Sequence, residues 1–186
     1  MSSFYSREEL KEIGFKAFGE DVLVSKKASI YGAENISLGN HVRVDDFCIL
    51  SGKIEIGDYV HISAYDGLFG ADAGITIGNY VAISSRIAIY AATDDYSGES
   101  MVNPMIPDEY KNVKQAAVKV SDHCIIGTGS TILPGVTVAE GVSVGAMSLI
   151  NKDLEEWGIY VGIPCKKIKD RSKKMLEYAE KFEKEQ

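Results

Sequence analysis

Residues 118–150 decide the fold and read VKVSDHCIIGTGSTILPGVTVAEGVSVGAMSLI. An aliphatic residue returns at every sixth position of this stretch, at Val120, Ile126, Ile132, Val138, Val144 and Ile150. The same period runs earlier through Leu38, Val44, Leu50, Ile56, Ile62 and Leu68, slips by three positions, and resumes at Ile77, Ile83 and Ile89. Neither the helical period nor the strand period alone explains it. It fits one short strand and one corner, repeated along the chain.

Turn residues show a longer period, because a coil of three such units is about 18 residues long. Corner pairs recur on successive coils at Gly39-Asn40, Gly57-Asp58, Gly78-Asn79 and Ser121-Asp122. Glycine, asparagine and aspartate tolerate the left-handed backbone, so we expect these pairs to form the corners. The aliphatic columns then point inward and stack with strands about 4.8 Å apart. The sequence therefore predicts an all-β fold, a parallel β-helix shaped like a triangular prism.

The segments outside the repeats predict helices and one long loop. Residues 1–21 form an N-terminal helical segment, in which Ser6 and Glu9 have the spacing of a capping box. The β-helix is expected over residues 22–168. A C-terminal helix is expected over residues 169–186, because Met175, Ala179 and Phe182 recur at helical spacing. Residues 94–117 break the repeat with turn clusters, which predicts an excursion loop with a functional role.

Composition and charge exclude several classes of protein. The chain has 20 Ile and 15 Val but only 9 Leu, which favours strands over a helix bundle. A net charge of −7 argues against nucleic acid and anionic membranes as partners. No apolar run approaches the roughly 20 residues that span a bilayer, so we expect no membrane insertion. Three cysteines without metal-like spacing suit a reducing, cytoplasmic setting. Residues 166–186 are basic, with eight cationic and five anionic side chains.

Three stretches carry a resemblance to a known family. Ile132-Leu133-Pro134-Gly135-Val136, Val144-Gly145-Ala146 and Gly162-Ile163-Pro164-Cys165-Lys166 resemble the C-terminal part of sugar acetyltransferases. Residues 28–31 and 43–47, reading ASIY and RVDDF, resemble polysaccharide-cluster members, among them N-acyltransferases of nucleotide-linked 4-amino-4,6-dideoxysugars. The chain is thus similar to the hexapeptide acyltransferases from roughly Val22 to Arg171. The resemblance implies a left-handed β-helix, a homotrimer with sites between subunits, acyl-CoA as cosubstrate, and a role in bacterial surface polysaccharide biosynthesis.

The resemblance also places CoA in the groove between two neighbouring prisms. Backbone amides near Gly127 and Ala146 are then expected beside the thioester and pantetheine arm, where an N–H group polarises the carbonyl. Lys166, Lys167 and Arg171 fall where the family has basic residues near the nucleotide phosphates. The alternative is that the first two positions serve only packing and that the basic residues are an ordinary helix start.

The excursion loop departs from the pattern of the sugar O-acetyltransferases, which carry a histidine at its start. The equivalent position here is Asp94, so that catalytic histidine is not carried over. A hydroxyl benefits from a histidine base, whereas an amine arrives as an ammonium and is nucleophilic once neutral. An acidic cluster of Asp94, Asp95 and Glu99 suits such an ammonium. The expected acceptor is therefore the amino group of a nucleotide-linked amino sugar. The alternative for the acidic pair is a solvated loop tip.

Three further positions complete the candidate site. His61 lies two residues before Ser63, and the next coil brings Ser84 near it, as an acceptor-binding or proton-handling pair. We therefore assign Asp94, His61 and Ser84 to catalysis, and Asp95, Glu99 and Tyr65 to acceptor binding. Asp94 is on a different edge of the prism from His61, so only a trimer is expected to bring them together.

Other functions remain open. The first alternative is O-acetylation of a sugar hydroxyl, and the second is a non-catalytic β-helix scaffold. A γ-type carbonic anhydrase shares this fold but needs converging histidines on zinc. Its ligands include two histidines five residues apart, whereas the histidines here are 20 and 62 residues apart. We therefore expect no metal.

Overall fold

The computed structural model describes residues 3–185, and two helices flank its strands. Helix α1 spans Arg7–Ile13 and helix α2 spans Met175–Lys184. The Ser6 hydroxyl accepts the amide of Glu9 at 3.2 Å, and the Glu9 carboxylate accepts the Ser6 amide at 2.7 Å. The capping box predicted for the first helix is therefore confirmed.

Twenty strands lie within residues 3–185, most of them two or three residues long. In the first half of the chain they are β1 (Ala17–Phe18), β2 (Leu23–Val24), β3 (Ser29–Tyr31), β4 (Ile36–Leu38), β5 (Arg43–Val44), β6 (Ile49–Ile56), β7 (His61–Ile62), β8 (Gly67–Ile77), β9 (Ala82–Ile83), β10 (Ala88–Tyr90) and β11 (Ala92–Thr93). In the second half they are β12 (Lys114–Gln115), β13 (Val118–Val120), β14 (Ile125–Ile126), β15 (Thr131–Ile132), β16 (Thr137–Val138), β17 (Ser143–Val144), β18 (Leu149–Ile150), β19 (Gly158–Gly162) and β20 (Cys165–Asp170).

Parallel stacking of these strands builds the predicted β-helix. On one face β2, β5, β7, β9, β14, β17 and β19 pair in that order, all parallel. The aliphatic column in register on this face is Val44, Ile62, Ile83, Ile126 and Val144. The other two faces share one sheet, because β6 and β8 each continue around a corner. The six-residue period is therefore confirmed as one strand and one corner of a coil.

The core consists of the inward columns of the prism. Leu50, Ile62, Leu68, Ile126 and Ile132 are fully buried. Each buried aliphatic side chain contributes roughly 1.5–3 kcal/mol relative to exposure, so the stacked columns dominate the stability of the fold. Cys48 and Cys124 stand in the inward small columns, where burial raises the pKa of each thiol to about 11.

The corners differ from the sequence prediction. The positive φ angles of the left-handed conformation do not occur at the predicted corner pairs. They occur at the residues that follow these pairs, His41, Tyr59, Tyr80 and His123. The asparagine and aspartate side chains of these pairs accept backbone amides of a neighbouring coil. The Asp58 side chain accepts the Asn40 amide at 2.7 Å from the preceding coil, and Asn79 accepts the Asp58 amide at 2.8 Å. These residues therefore link neighbouring coils, and that prediction of their backbone conformation was wrong.

The excursion loop leaves the prism between β11 and β12. These two strands pair antiparallel, Ala92 with Gln115 and Thr93 with Lys114, and close the base of the loop. Residues 94–113 form the loop itself, slightly shorter than the expected 94–117, because the returning chain already pairs with β11. A short 3-10 turn, Asp108–Tyr110, lies within it.

The C-terminal end of the prism is closed by a hairpin. Strands β19 and β20 pair antiparallel, so residues 165–170 are extended and α2 begins at Met175 rather than at residue 169. Trp157 is buried at the last corner, where it closes the prism. Within residues 3–185 no helix is long and apolar enough to cross a membrane.

Candidate active site

A column of polar and small side chains, here called the polar column, follows the strands of one prism face. Its members on successive coils are Asp45, Ser63, Ser84, Gly127 and Gly145. Backbone bonds fix their register: the Ser63 amide donates to the Ile83 carbonyl and the Ser84 amide to the Ile126 carbonyl, at 3.1 and 3.0 Å. Both serine side chains are half-buried. The structure therefore presents Ser84 as a partly exposed hydroxyl on a rigid support.

His61 is held by a carboxylate of the same face. Its Nε2 lies 2.7 Å from Oδ2 of Asp45, and Arg43 Nε donates to the other oxygen of Asp45 at 2.7 Å. Burial raises the pKa of Asp45, but the hydrogen bonds from His61 and Arg43 outweigh it and hold the pKa below its usual range. Asp45 is thus an anion that orients His61. Asp45 and Arg43 were not predicted as site residues, although their spacing around Val44 places both beside the same strand.

Asp94 follows β11 at the start of the excursion loop. It lines a concavity of about 330 Å³ together with Tyr90, Thr93, Leu133 and Pro134. Its side chain is half-buried, and the walls formed by Tyr90, Leu133 and Pro134 are mostly apolar. A carboxylate in such a setting can accept a proton or hold an ammonium group.

The structure places Asp94 on a different face from His61 and Ser84. Ser84 follows β9 on the polar-column face, whereas Asp94 follows β10 and β11, beyond the next corner. Within residues 3–185 no hydrogen bond or ion pair joins Asp94 to His61 or to Ser84. His61 is in register with Ala82, and its ring bonds to Asp45 rather than to a serine.

The other acidic residues of the loop have different surroundings. Asp95 is buried, and its carboxylate accepts the amide of Ser97 and the hydroxyl of Ser100, both at 2.9 Å. These bonds lower the pKa of Asp95 to about 2. Asp95 therefore organises the loop backbone. Glu99 is exposed beside a separate concavity of about 500 Å³ that Tyr110 and Lys111 also line.

Tyr65 stands at the corner next to the polar column. Its ring stacks on that of Phe47, with centroids 5.0 Å apart, and the Arg86 guanidinium lies 5.8 Å from the Tyr65 centroid. More than half of Tyr65 is exposed. Its ring therefore packs against Phe47 and Arg86, and its role in acceptor binding stays a prediction.

The two small residues expected at the thioester lie on neighbouring coils. A Cβ on Gly127 would come within 2.5 Å of the Ala146 amide nitrogen, so stacking of the next coil alone requires glycine there. Ala146 is exposed beside it. A role of either residue at a thioester thus stays a prediction.

Four basic residues near the C-terminal hairpin divide into two groups. Lys166 and Lys167 line a concavity of about 260 Å³ together with Lys152, Asp153 and Glu155. Lys152 was not predicted, because it lies 14 residues before Lys166 in the chain. Lys167 also pairs with Asp170 at 2.9 Å. Arg171 instead donates to the carbonyls of His123 and Gly141, at 2.7 and 3.0 Å. Arg171 therefore links two corners by hydrogen bonds. Lys152 is added to the candidate phosphate site.

Residues 3–185 contain no group of three or more histidine, cysteine, aspartate or glutamate side chains placed to hold a metal ion. No protein-family model matches the chain.

Comparison with known proteins gives relatives along the whole chain. The chain is 48% identical over 177 residues to the dTDP-4-amino-4,6-dideoxy-D-glucose acyltransferase of Escherichia coli, covering 94% of this chain and 92% of the relative. It is 30% identical over 117 residues to the galactoside O-acetyltransferase of Lactococcus lactis, covering 60% of this chain and 52% of the relative.

Solved structures of AntD, an N-acyltransferase from Bacillus cereus, are similar in fold and sequence. The complex with dTDP and 3-hydroxybutyryl-CoA is 54% identical, with a TM-score of 0.97, and covers 100% of this chain and 98% of AntD. AntD variants S84A, with dTDP-4-amino-4,6-dideoxyglucose and CoA, and D94A, with dTDP and CoA, each have a TM-score of 0.98. This chain also has serine at position 84 and aspartate at position 94.

Proposed function

The chain belongs to the hexapeptide-repeat acyltransferases of the dTDP-amino-sugar group, and from this premise we propose how its residues carry the reaction. It is an acyltransferase that moves an acyl group from a CoA thioester to the amino group of a nucleotide-linked amino sugar. The observation that carries the proposal is Asp94: it is half-buried in the concavity beside Tyr90, in a loop (residues 94–113) without any histidine. A carboxylate there suits a cationic amine acceptor better than a neutral hydroxyl.

Asp94 holds the acceptor ammonium and takes its proton. The amine must be neutral when it attacks, because the ammonium has no lone pair. A carboxylate that holds the ammonium is also the base nearest to its N–H groups, and Asp94 supplies one in the concavity beside Tyr90. The proton therefore passes to Asp94 as the nitrogen approaches the thioester carbon.

Ser84 and His61 act on the other side of the reacting carbon. The Ser84 hydroxyl donates a hydrogen bond to the developing oxyanion or accepts one from the amine. His61, oriented by Asp45, handles the acceptor or a proton through its remaining ring nitrogen. The carbon–nitrogen bond forms and the carbon–sulfur bond breaks. The departing CoA thiolate then takes up the last amine proton, so the products are an amide and a thiol.

The separation of Asp94 from Ser84 supports a site shared between subunits. A homotrimer with parallel prisms brings the polar column of one subunit opposite the excursion loop of the next. CoA then lies along the groove, with its pantetheine arm beside Gly127 and Ala146 and its phosphates near Lys152 and Lys166. We place this reaction in the cytoplasm, in bacterial surface polysaccharide biosynthesis; the three free cysteines within residues 3–185 support the first point.

O-acylation is the second candidate, and the Asp45–His61 pair favours it. A histidine held by a carboxylate resembles the base that activates a hydroxyl nucleophile. Its ring is 46% exposed, so it can reach an acceptor. A sugar hydroxyl would then replace the amine, and Asp94 would only position it.

A CoA-release assay on four acceptors separates the candidates. The acceptors are an amino sugar and the matching hydroxy sugar, each free and linked to dTDP. We expect turnover with the dTDP-linked amino sugar and at least tenfold slower turnover with the other three. Turnover confined to hydroxyl acceptors would support the second candidate, and no turnover with any acceptor would support a non-catalytic scaffold.

A further inference from the structure

The coil that contains β8 has an insertion at one corner. The parallel ladder between β6 and β8 pairs Ser51 with Phe69 before this corner and Ile54 with Ile75 after it. Two residues therefore turn the corner on the coil of β6, whereas five residues, 70–74, turn it on the coil of β8. These three additional residues are the slip in the six-residue period of the sequence.

The excursion loop leaves the prism at this same corner on the following coil. Tyr90 and Val118 pair with the β8 residues on either side of residues 70–74. Residues 91–117, which include β11, the loop and β12, therefore occupy the corner that residues 70–74 occupy one coil earlier. The insertion, here called the ledge, thus lies at the base of the loop.

The ledge is packed tightly on the preceding coil. Gly70 and Gly74 are buried, and a Cβ on Gly70 would collide with the backbone carbonyl of Lys53. Ala71 and Gly74 have positive φ angles of 47° and 95°, which turn the chain outward and back within a few residues. The ledge is therefore a firm support.

The side chain of Gln115 binds the ledge. Its Oε1 accepts the amide of Asp72 at 3.1 Å and the amide of Ala73 at 3.3 Å. Asp72 and Ala73 have no partner in the ladder with β6, so these amides are available to another group. Within residues 3–185, the hydrogen bonds that join residues 92–115 to the prism both end on Gln115.

The position of Gln115 links the ledge to Asp94. Gln115 pairs with Ala92 in the antiparallel ribbon of β11 and β12, and Thr93 joins Ala92 to Asp94. On the other side of Asp94, the Asp95 carboxylate holds the loop backbone through its hydrogen bonds. The backbone of Asp94 is therefore fixed between the ribbon and Asp95, and Gln115 fixes the ribbon on the ledge.

We propose that Gln115 is a positioning residue, which places the Asp94 carboxylate by holding the base of the excursion loop on the ledge. The inference deepens the proposed function and rests on it, because there Asp94 takes the proton of the amine. A displacement of about 1 Å in a reacting group can cost about 100-fold in rate. The insertion, which the packing of the aliphatic columns does not require, then has a role at the active site.

Two conservative variants with opposite expected results test the proposal. Gln115→Asn keeps the amide but is one methylene shorter, so its oxygen no longer reaches both ledge amides. We expect its kcat to fall by about fivefold or more, with KM for both substrates within about twofold. Gln115→Glu keeps the length and an acceptor oxygen, and its kcat should stay within about twofold of wild type. Lys119→Gln, at an exposed position of β13, is the control.

Hydrogen exchange of the full chain, measured by mass spectrometry, gives a readout that does not depend on turnover. In Gln115→Asn, the segments containing residues 70–75 and 92–96 should exchange at least about threefold faster than in the wild type. In Gln115→Glu they should exchange at the wild-type rate. In an Asp94→Asn background, Gln115→Asn should lower kcat by less than about twofold more, since its effect passes through the Asp94 carboxylate.

An unchanged kcat in Gln115→Asn would overturn the assignment. An equal loss of kcat in Gln115→Glu with wild-type exchange would also overturn it, because the role would then not be to accept the ledge amides. A raised KM for acyl-CoA at constant kcat would instead mean that Gln115 contacts the cosubstrate. Failure of the proposed function is distinguishable: the wild type would transfer no acyl group to any amino sugar, while exchange of both segments would still respond to Gln115→Asn.

Discussion

The Nε2 atom of His61 lies 2.7 Å from Oδ2 of Asp45, and Arg43 holds the other oxygen of that carboxylate. A carboxylate that accepts from Nε2 favours the tautomer with the proton on Nε2 and leaves the lone pair on Nδ1. The ring therefore has a fixed orientation, and its Nδ1 keeps a lone pair. The arrangement occurs on a rigid prism face, so it does not depend on loop closure.

Breaking this pair should slow turnover without weakening cosubstrate binding. In Asp45→Asn we expect kcat to fall by about tenfold, because the amide no longer stabilises the oriented ring, while KM for acyl-CoA stays within about twofold. Steady-state kinetics of both substrates measure the split. His41→Gln is the control, since His41 also lies near an aspartate but on the covered corner. An equal loss in the control would point to folding instead of proton handling.

Mixing two variants should reveal whether the site is shared between subunits. Ser84→Ala and Asp94→Asn are each expected to lower kcat by at least about 100-fold. When equal amounts are unfolded and reassembled together, activity should return to about a quarter of wild type, since half of the subunits carry each intact residue. Each variant reassembled alone is the control. No recovery in the mixture would place both residues in one subunit.

The basic residues at the C-terminal hairpin should separate into binding and structural positions. Lys152→Gln and Lys166→Gln are expected to raise KM for acyl-CoA by about fivefold each and to leave kcat unchanged, because they remove phosphate partners only. Arg171→Ala should lower the melting temperature by several degrees, since it removes hydrogen bonds to two corner carbonyls. A raised KM for acyl-CoA together with an unchanged melting temperature in Arg171→Ala would indicate that Arg171 binds phosphate and does not stabilise the corners.

Asp66 should make the protein less stable as the pH rises. Its carboxyl is buried, one oxygen accepts the Ile87 amide at 2.8 Å, and burial raises the pKa to about 8. The folded carboxyl keeps its proton up to about pH 8, whereas the unfolded one loses it near pH 4. Between these values the folded state binds more protons, so the free energy of unfolding falls as pH rises.

Asp66→Asn is the variant that tests this, because it removes the ionisation and keeps a side-chain carbonyl for the Ile87 amide. The melting temperatures of the wild type and the variant are measured at pH 5 and at pH 8. The stability of the variant relative to the wild type should be higher at pH 8 than at pH 5 by several degrees, or by about 1 kcal/mol or more. The same difference at both pH values would show that Asp66 stays ionised in the fold. Asp58→Asn, at an outer corner, serves as the comparison.

The fold was predictable because its information is periodic. Each coil repeats one aliphatic position in six, and a shift of register would expose the whole column, so Ile62 and Ile126 already define the stacking. The corners were less predictable: tolerance of the left-handed backbone pointed to Asn40 and Asp58, but their side-chain bonds to neighbouring amides decide their conformation. These side-chain bonds depend on amides of the adjacent coil, so the local sequence does not reveal them.

The candidate site was predictable only where a residue stands inside the repeat or in a recognised motif. His61 and Ser84 have defined places in a coil, and Asp94 stands where a family histidine would be. Arg86 and Lys152 were not predicted, because the residues they contact lie one coil away or across the hairpin. Asp94 and Ser84 lie on different faces of one prism, and no pattern in one chain specifies whether another subunit brings them together.

The product formed from dTDP-4-amino-4,6-dideoxyglucose and an acyl-CoA tests the central claim most directly. The wild-type chain should yield a product heavier by one acyl group, with one CoA thiol released per product. Alkaline hydroxylamine cleaves oxygen esters and leaves amides intact, so the mass of the product should survive that treatment. A product that loses its acyl group to hydroxylamine, or CoA release without any mass gain on the sugar, would contradict acyl transfer to the amine.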